Sequence, residues 1–345
     1  MKRRWGSPDA ATAAVRGAVR AALADLARDH PSPGLPPPGV AQPGDLVLVA
    51  CSGGADSLAL AAALAFEAPA AGWRAGAVVV DHALQPGSAQ VAAQAARRLL
   101  DLGLDPVEVV AVEVPSKGSN LEAAAREARY DALGAAADRH AAVAVLLGHT
   151  LDDQAEQVLL GLARGSGARS LSGMPPTRGR FRRPLLGVSR EQCRESVRAQ
   201  GLTFWDDPMN DDPAFTRVRA RRALADLERD LGPGVTAALA RTASLLRDDA
   251  DHLAGLADAA LAALGPQPWP VEALEGIPRA VRTRVWRRLL VEAGAPAGQV
   301  ATAHTDACDR LLTAWHGQGP VHAPGDLRVT RSGGRVTIAV HDRVD

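Results

Sequence analysis

Short apolar runs alternate with helical segments through residues 46–163, and this alternation limits the fold more than any other feature. Four runs suit buried strands, at residues 46–50, 77–80, 107–114 and 143–147. Each is followed by a segment in which apolar residues recur at helical spacing. Strict strand–helix alternation implies right-handed crossovers and a sheet covered on both faces. We therefore predict an α/β fold built on a doubly wound parallel sheet.

Breaks rich in proline and glycine divide the rest of the chain. Residues 9–29 are typical of an amphipathic helix, residues 165–183 of a loop, and residues 271–316 of helices. The division has three parts: residues 1–43, an N-terminal helix and Pro-rich linker packed with the main domain; residues 44–230, the main domain; and residues 231–345, a smaller, mainly helical domain that ends in a β-hairpin.

Composition excludes several classes of protein. The 345 residues carry 39 basic and 39 acidic side chains, which argues against a chain-wide attraction to nucleic acid but leaves local basic patches open. Cys51, Cys193 and Cys308 form no closely spaced pair, which argues against a disulfide framework or a zinc site. No apolar run approaches the roughly 20 residues of a membrane span. We expect a cytoplasmic protein; its oligomeric state is open, with a homodimer as one alternative.

The segment Ser52–Ser57, which we call the phosphate loop, lies between the first strand and its helix. Gly53 and Gly54 let the backbone approach an anion closely, and the helix that follows presents free N–H groups. Asp56 adds a carboxylate that could hold Mg²⁺. The alternative is a simple helix cap after a strand. The loop lacks the endings of a Walker loop and of a dinucleotide-binding motif, and it resembles the PP-loop of the ATP pyrophosphatase superfamily, which implies ATP cleavage between the α- and β-phosphates.

A second group of polar residues follows the fourth strand. Asp153 and Glu156, like Asp152 and Glu156, are spaced to share one face of a helix that begins directly after His149. Acids in a first turn also suit the helix dipole, which is the alternative explanation. Three acids beside a histidine, at the ligand-binding edge of a parallel sheet, favour a site for Mg²⁺ or for a substrate ammonium.

Ordered motif blocks identify the chain as similar to the tRNA(Ile)-lysidine synthetases. The blocks are Ser52–Ser57; Asp81-His82-Ala83-Leu84; Asn120-Leu121-Glu122 with Ala125-Arg126 and Arg129-Tyr130; Gly148-His149 through Glu156; Arg164-Gly165-Ser166-Gly167 with Leu171-Ser172-Gly173-Met174; Arg183-Pro184-Leu185-Leu186; and Asp207-Pro208-Met209-Asn210 with Arg217 and Arg221. The phosphate loop alone identifies only the superfamily, whereas the block that ends at Glu156, followed by Arg-Gly-Ser-Gly, is much more specific.

The resemblance implies a PP-loop, adenine nucleotide α-hydrolase-like catalytic domain and a two-step reaction. ATP would adenylate the carbonyl oxygen at carbon 2 of the wobble cytidine in an isoleucine tRNA with a CAU anticodon, and the ε-amine of free lysine would then displace AMP. Lysine would bind Asp153 and Glu156. The implied catalytic residues are Asp56, Arg126, Asp153 and Glu156, with Asp56 also holding Mg²⁺. The predicted ATP-binding residues are Ser52, Gly53, Gly54, Ala55, Asp56, Ser57, Asp81, His82, Gly148 and His149.

Arginines supply the predicted contacts with tRNA. Residues 178–222 contain eleven arginines against six acids, and residues 279–288 contain a second basic run without acids. Such clusters suit phosphate contacts, although a solvated helix face is the common alternative. The residues assigned to tRNA are Arg183, Arg217, Arg221, Arg284, Arg287 and Arg288.

Two positions depart from the family, and two rival functions remain. Val218 stands where the family usually has Asn, and Gln157 where it usually has Thr.

A tRNA thiolase of the same superfamily is the nearest rival, but the isolated cysteines argue against sulfur transfer. A non-catalytic RNA-binding module would need neither the phosphate loop nor the acidic helix.

Overall fold

The computed structural model describes residues 8–28, 44–81, 87–112, 121–165, 167–207, 209 and 212–340. The chain divides into two compact units, Met1–Leu245 and Leu246–Asp345. A single helix, Val235–Leu264, runs through this division, so no loop marks it in the sequence. The three-part division proposed from the sequence stays a prediction.

Among the described residues, six strands form the sheet of the first unit. In chain order they are β1 (Leu46–Ala50), β2 (Arg74–Asp81), β3 (Val107–Ala111), β4 (Ala142–Leu146), β5 (Thr177–Arg178) and β6 (Phe181–Arg182). Their spatial order is β3-β2-β1-β4-β6-β5, and every neighbouring pair is parallel except β5 with β6. The predicted doubly wound sheet is confirmed, with an antiparallel edge strand added.

Helices cover both faces of this sheet. They are α1 (Ala10–Arg28), α2 (Ala55–Ala70), α3 (Ser88–Asp101), α4 (Leu121–Arg139), α5 (Leu151–Ala163), α6 (Ala168–Leu171), α7 (Arg190–Ala199) and α8 (Thr216–Leu231), with α9 (Val235–Leu264) leading into the second unit and a 3₁₀ turn at Pro184–Gly187. Val47 and Val49 of β1 pack with α1, α2, α3 and α7, whereas Leu46 and Leu48 pack with α4. Alternate residues of β1 thus face opposite cores, as expected of a central strand.

The position of β1 fixes where a ligand can bind. The chain moves from β1 outward to β2 and β3, then returns to place β4 on the other side of β1. The loops after β1 and β4 therefore leave the sheet side by side, at the point where the strand order reverses. This switch point is the usual ligand crevice of a doubly wound sheet.

The second unit combines helices with an antiparallel sheet. Its helices after α9 are α10 (Val271–Glu275), α11 (Arg279–Glu292) and α12 (Thr302–Thr313), and its strands are β7 (Trp269–Pro270), β8 (Val321–Ala323), β9 (Leu327–Ser332) and β10 (Arg335–Val340), in the order β7-β10-β9-β8. Trp286 is fully buried in the core between them. The predicted hairpin is present as β9 and β10.

Two stretches differ from the sequence prediction. Residues 165–183, predicted to be a loop, contain α6 and the short strands β5 and β6. Residues 271–316, predicted to be helical, are interrupted at residues 276–278 and 293–301. The first error involves elements of two to four residues, which carry too little periodicity to be predicted, whereas the second overlooks the connections between helices. No helix in the described part of the chain has the length and apolar character needed to cross a membrane.

Candidate active site

The phosphate loop is held in shape by its own hydroxyl groups. Gly53 has a φ of +85°, a left-handed conformation that glycine adopts without strain. The Ser57 hydroxyl donates to the Gly54 carbonyl oxygen at 3.0 Å and accepts from the Ser52 amide at 3.2 Å. Helix α2 begins at Ala55, so its unpaired first-turn N–H groups and positive dipole end lie at the same turn. The loop is therefore preorganised for an anion.

Two other segments pack against this loop. A Cβ atom on Gly148, just after β4, would lie 3.1 Å from Ser57 Cα, so glycine is required for the close approach. The Trp205 amide donates to the Gly53 carbonyl oxygen at 3.0 Å, a contact with a segment that the sequence did not single out. Asp81 ends β2 and is buried. His82, predicted beside it, lies outside the described residues.

Four acids surround one arginine at the switch point. We call Asp56, Asp152, Asp153 and Glu156 the carboxylate cluster. The Arg190 guanidinium lies 3.1 Å from both Asp153 Oδ1 and Glu156 Oε1, and 3.7 Å from Asp56 Oδ2. Its backbone amide donates to Asp152 Oδ2 at 2.8 Å. In the sequence, Arg190 stands out only as one arginine of a basic stretch, but its place at the start of α7 brings it to the acids of the switch point.

Asp153 and Glu156 differ in how many of their oxygens have partners. Asp153 Oδ2 accepts from the Thr150 amide at 2.7 Å and the Thr150 hydroxyl at 3.0 Å, while Oδ1 accepts from Arg190. Both oxygens of Asp153 are thus engaged. Glu156 Oε1 accepts from Arg190 and, at 3.0 Å, from Arg221 Nε. Glu156 Oε2 is buried and has no hydrogen-bond partner among the described residues.

Burial and charge shift the pKa values of this cluster in opposite directions. Burial raises the pKa of Asp56 to about 6; Arg190 opposes the shift, and Asp153 and Asp152 reinforce it. Burial also disfavours ionised Asp153, but Arg190 and the hydrogen bonds from Thr150 bring its pKa below its usual range. Asp153 is therefore a stable anion, whereas Asp56 needs a further cation to hold its charge.

The donor set fits a metal only in part. Asp56 Oδ1 is buried without a hydrogen-bond partner among the described residues. No group of three or more His, Cys, Asp or Glu side chains within the described ranges forms a ready-made metal cage. Mg²⁺ typically uses one or two protein carboxylates and completes its shell with phosphates and water. Asp56 fits that kind of site.

A second feature, the arginine pocket, has the opposite charge. It is a cavity of about 500 Å³ lined by five arginines with Gln157, Thr216 and apolar side chains, and no acid is among its described lining residues. The five are Arg126, Arg164, Arg178, Arg183 and Arg217. The Tyr130 hydroxyl accepts from Arg183 at 2.9 Å and from Arg126 at 3.3 Å. Burial lowers the pKa of Arg126, with Arg217 and Arg183 adding to the shift.

His149 is influenced by both features. Burial, together with Arg183, Arg126 and Arg217, lowers its pKa to about 3, against the attraction of Asp153. The imidazole is therefore neutral at physiological pH. Its Nδ1 atom is buried and has no hydrogen-bond partner among the described residues. A neutral histidine between acids and arginines can accept or donate a hydrogen bond without adding charge to the site.

One motif residue has a structural role that the sequence did not suggest. The Gln154 carboxamide donates to the Met174 carbonyl oxygen at 2.9 Å and accepts from the Met174 amide at 2.6 Å. Gln154 thereby fixes the turn at Gly173 and Met174, which line the arginine pocket. This contact links two motif blocks that are separate in the sequence.

The predicted tRNA-binding arginines separate into three groups. Arg183 and Arg217 line the arginine pocket, whereas Arg221 contacts Glu156. The third group, Arg284, Arg287 and Arg288, belongs to α11 of the second unit. There Arg287 donates to the carbonyls of Val300 and Ala297, Arg288 pairs with Asp258, and Arg284 donates to the Ala280 carbonyl within its own helix.

Two families match the chain. The PP-loop domain family matches residues 36–228, and the TilS substrate binding domain family matches residues 270–337. A tRNA(Ile)-lysidine synthase of Thermobifida fusca is 53% identical over 335 residues, which cover 96% of this chain and 98% of the relative. The enzyme of that name in Streptomyces coelicolor is 53% identical over 354 residues, covering 96% and 99%. That of Mycobacterium bovis is 47% identical over 293 residues, covering 82% and 86%.

A solved structure shares the fold. The U34-tRNA thiolase NcsA from Methanococcus maripaludis, solved with its 4Fe-4S cluster, aligns with a TM-score of 0.51 at 19% identity, over 69% of this chain and 78% of that one. In the present chain all three cysteines are free and buried. Burial raises the pKa of Cys308 to about 12 and that of Cys51 above its usual value. Protonated, enclosed thiols are poor nucleophiles and poor metal ligands, which weakens the thiolase alternative.

Proposed function

The chain belongs to the tRNA(Ile)-lysidine synthase family, and we propose that two different sets of its side chains carry out the two steps of lysidine formation. The phosphate loop and the arginine pocket serve adenylation of the tRNA. The carboxylate cluster serves the attack by lysine. The observation that carries this division is the contrast in charge between the arginine pocket, which has no acid among its described lining residues, and the acid-rich switch point.

In the first step, the carbonyl oxygen at carbon 2 of the wobble cytidine attacks the α-phosphorus of ATP, and pyrophosphate leaves. The phosphate loop and the N-terminus of α2 hold the pyrophosphate, because backbone N–H groups stabilise the negative charge that accumulates on it. Gly53, Gly54 and Ser57 shape this cradle. Asp81, at the end of a neighbouring strand, and His82, which follows it in the sequence, are proposed to contribute to the nucleotide pocket.

Asp56 is the proposed Mg²⁺ ligand of this step. Its Oδ1 atom is buried and has no hydrogen-bond partner among the described residues, and burial, reinforced by Asp153 and Asp152, raises its pKa. When bound, Mg²⁺ supplies charge neutralisation on the departing phosphates. Asp56 itself holds the ion, while Arg190 keeps the neighbouring carboxylates compensated.

The arginine pocket is the proposed site for the wobble nucleotide. A base must leave its stack before its carbon 2 can react, and such a base needs a shaped pocket with hydrogen-bonding groups. Arginines suit the phosphates on either side of it. Arg126, partly buried and held by Tyr130, is proposed to steady the charge that develops on the adenylated base.

In the second step, the ε-amine of lysine forms a bond to carbon 2 while the bond from that carbon to the oxygen of AMP breaks. The amine binds as an ammonium and loses a proton before it attacks. Glu156 is the proposed binding residue and proton acceptor, because its buried Oε2 has no partner among the described residues. Asp153, whose two oxygens are engaged, is proposed to orient the site.

The remaining assignments stay predictions. They are the contacts of Arg284, Arg287 and Arg288 with tRNA, a homodimer, a cytoplasmic location, and the specific choice of the isoleucine tRNA with a CAU anticodon. In the second unit, Arg287 already donates to a carbonyl oxygen and Arg288 pairs with Asp258, so tRNA contacts would compete with these interactions.

Incubation with ATP, Mg²⁺, labelled lysine and isoleucine tRNA bearing a CAU anticodon tests the proposal. We expect label to enter the tRNA with release of AMP and pyrophosphate. Methionine tRNA, which has the same anticodon, is the matched control and should stay unlabelled. Absence of labelling by folded protein, with an active relative run alongside, would refute the proposed reaction.

A further inference from the structure

Glu156 is held by two arginines that come from different helices and meet at the same oxygen. Arg190 at the start of α7 lies 3.1 Å from Glu156 Oε1, and Arg221 in α8 lies 3.0 Å from it. These partners are separated from Glu156 by 34 and 65 residues in sequence. The Glu156 side chain is only 3% exposed, so its carboxylate is almost entirely shielded from water.

The consequence is an asymmetric carboxylate. A buried carboxylate is normally satisfied at both oxygens, because each unmet hydrogen bond is unfavourable. Here both cations act on Oε1, and Oε2 has no partner among the described residues. Arg190 is held in turn by Asp153 and, through its backbone amide, by Asp152. Its position is thus determined by groups other than Glu156.

Arg221 reaches the cluster from a more open position. Its side chain is 37% exposed, and it directs Nε into the buried carboxylate. The sequence placed Arg221 among the tRNA contacts, together with Arg217. The structure separates them: Arg217 lines the arginine pocket, and Arg221 does not.

We propose that Arg221 and Arg190 are positioning residues for the amine substrate, which fix Glu156 by Oε1 so that Oε2 receives the ε-ammonium of lysine. The inference rests on the proposed function, which assigns the lysine amine to Glu156. The two arginine side chains thus prepare the binding site of a third cation, the lysine ammonium. They hold Glu156 by Oε1 before lysine arrives, and they leave Oε2 for it.

The charge count supports this arrangement. The cluster contains four carboxylates, and the two guanidinium groups compensate only part of that charge. A single further cation therefore remains favourable at Oε2 even though two arginines are already present. Without Arg221, Glu156 would be free to rotate toward Arg190, and its second oxygen would lose its fixed direction.

Steady-state kinetics of Arg221→Ala test the inference. Loss of a charge-assisted hydrogen bond that orients the ligand site should raise the KM for lysine about tenfold. The KM for tRNA should rise much less than the KM for lysine. Arg221→Lys should recover part of the loss, since an ammonium can still reach Oε1 but lacks the fixed geometry of the fork. Arg229→Ala, on the exposed face of the same helix, is the matched control and should match the wild type.

The outcomes separate the inference from the function on which it rests. If Arg221→Ala raises the KM for tRNA and leaves the KM for lysine unchanged, Arg221 is a tRNA contact and the inference is wrong, while the proposed reaction stands. If Glu156→Gln also leaves the KM for lysine unchanged, the lysine site itself is misplaced.

Arg190 supplies an independent check on the same carboxylate. Because Arg190→Ala would leave four acids facing one another, Arg190→Lys is the usable variant. We expect a higher KM for lysine with a folded protein, judged by its melting temperature. Arg198→Lys, on the exposed end of the same helix, is its control. An unchanged KM for lysine in Arg190→Lys and Arg221→Ala together would overturn the inference.

Discussion

The carboxylate cluster and the arginine pocket are neighbouring concentrations of charge that are compensated in different ways. The cluster contains its own counter-charges, Arg190 and Arg221, at distances of about 3 Å from Glu156. The pocket has five arginines and no acid among its described lining residues; Arg126 and Arg183 instead share the hydroxyl of Tyr130. A charged group that has a counter-charge nearby can orient a ligand. A group of like charges without such a counter-charge attracts a ligand of opposite sign.

Under the proposed function, this difference gives the two regions different parts of the reaction. The pocket should contribute affinity for a polyanion, with a strong dependence on salt. The cluster should contribute little to that affinity, because its carboxylates carry charge of the same sign as the polyanion. Substitutions in one region should therefore change a kinetic constant that substitutions in the other leave almost unaltered.

The largest effect is expected at Asp56, which connects the cluster to the phosphate loop. Asp56→Asn should reduce tRNA-dependent ATP–pyrophosphate exchange by about a hundredfold or more, because the variant lacks the charge that balances Mg²⁺ on the phosphates. Asp152→Asn, which alters the same cluster away from the loop, is the comparison. Normal exchange by Asp56→Asn would remove Asp56 from the first step.

A smaller effect is expected in the arginine pocket. Arg178→Gln should raise the KM for tRNA roughly fivefold and reduce the salt dependence of tRNA binding by about one phosphate contact. Arg180→Gln is closely matched, since Arg180 lies two residues away in the same hairpin but pairs with Asp138. Equal effects of the two variants would mean that the pocket is not where tRNA binds.

Charged groups of both regions act on His149, which should affect how the stability of the protein depends on pH. Its pKa in the folded chain is about 3, far below the roughly 6.5 of an unfolded chain. The unfolded state therefore binds a proton near pH 6.5 that the folded state does not, and the free energy of unfolding should fall as pH drops from 7 to 5. Over this pH range, the melting temperature of His149→Gln should fall by about 2–4 °C less than that of the wild type. Identical pH profiles for the variant and the wild type would contradict a buried, neutral His149.

The smallest effect is expected in the second unit. Arg284 is half-buried and donates to the Ala280 carbonyl oxygen of its own helix. If it contributes one phosphate contact, Arg284→Gln should raise the KM for tRNA about twofold at moderate salt. Arg279→Gln, at the start of the same helix and paired with Asp306, is the control. A twofold change in both variants, or in neither, would remove Arg284 from the tRNA contacts.

Local patterns predicted the frame of this site, and long-range contacts completed it. The strands, the phosphate loop and the acidic turn of α5 follow from apolar runs, glycines and capping residues, whose physical effects act within a few residues. The contacts of Glu156 with Arg190 and Arg221 do not, because they join residues 34 and 65 positions apart. The sequence therefore placed Glu156 at the edge of the sheet but could not show that Arg190 and Arg221 contact its Oε1 atom.

The second unit shows the same limit. Its hairpin was predicted from the turn at Gly333 and Gly334, whereas β7 and β8 were not, because two or three residues carry no readable period. Their place is fixed by pairing with β10 and β9.

The division between adenylation and lysine attack is tested most directly by measuring both steps in Glu156→Gln. The account predicts that ATP–pyrophosphate exchange on tRNA, measured without lysine, is largely retained, while lysine incorporation requires at least about tenfold more lysine. Loss of exchange in parallel with incorporation, in a variant that melts like the wild type, would contradict it.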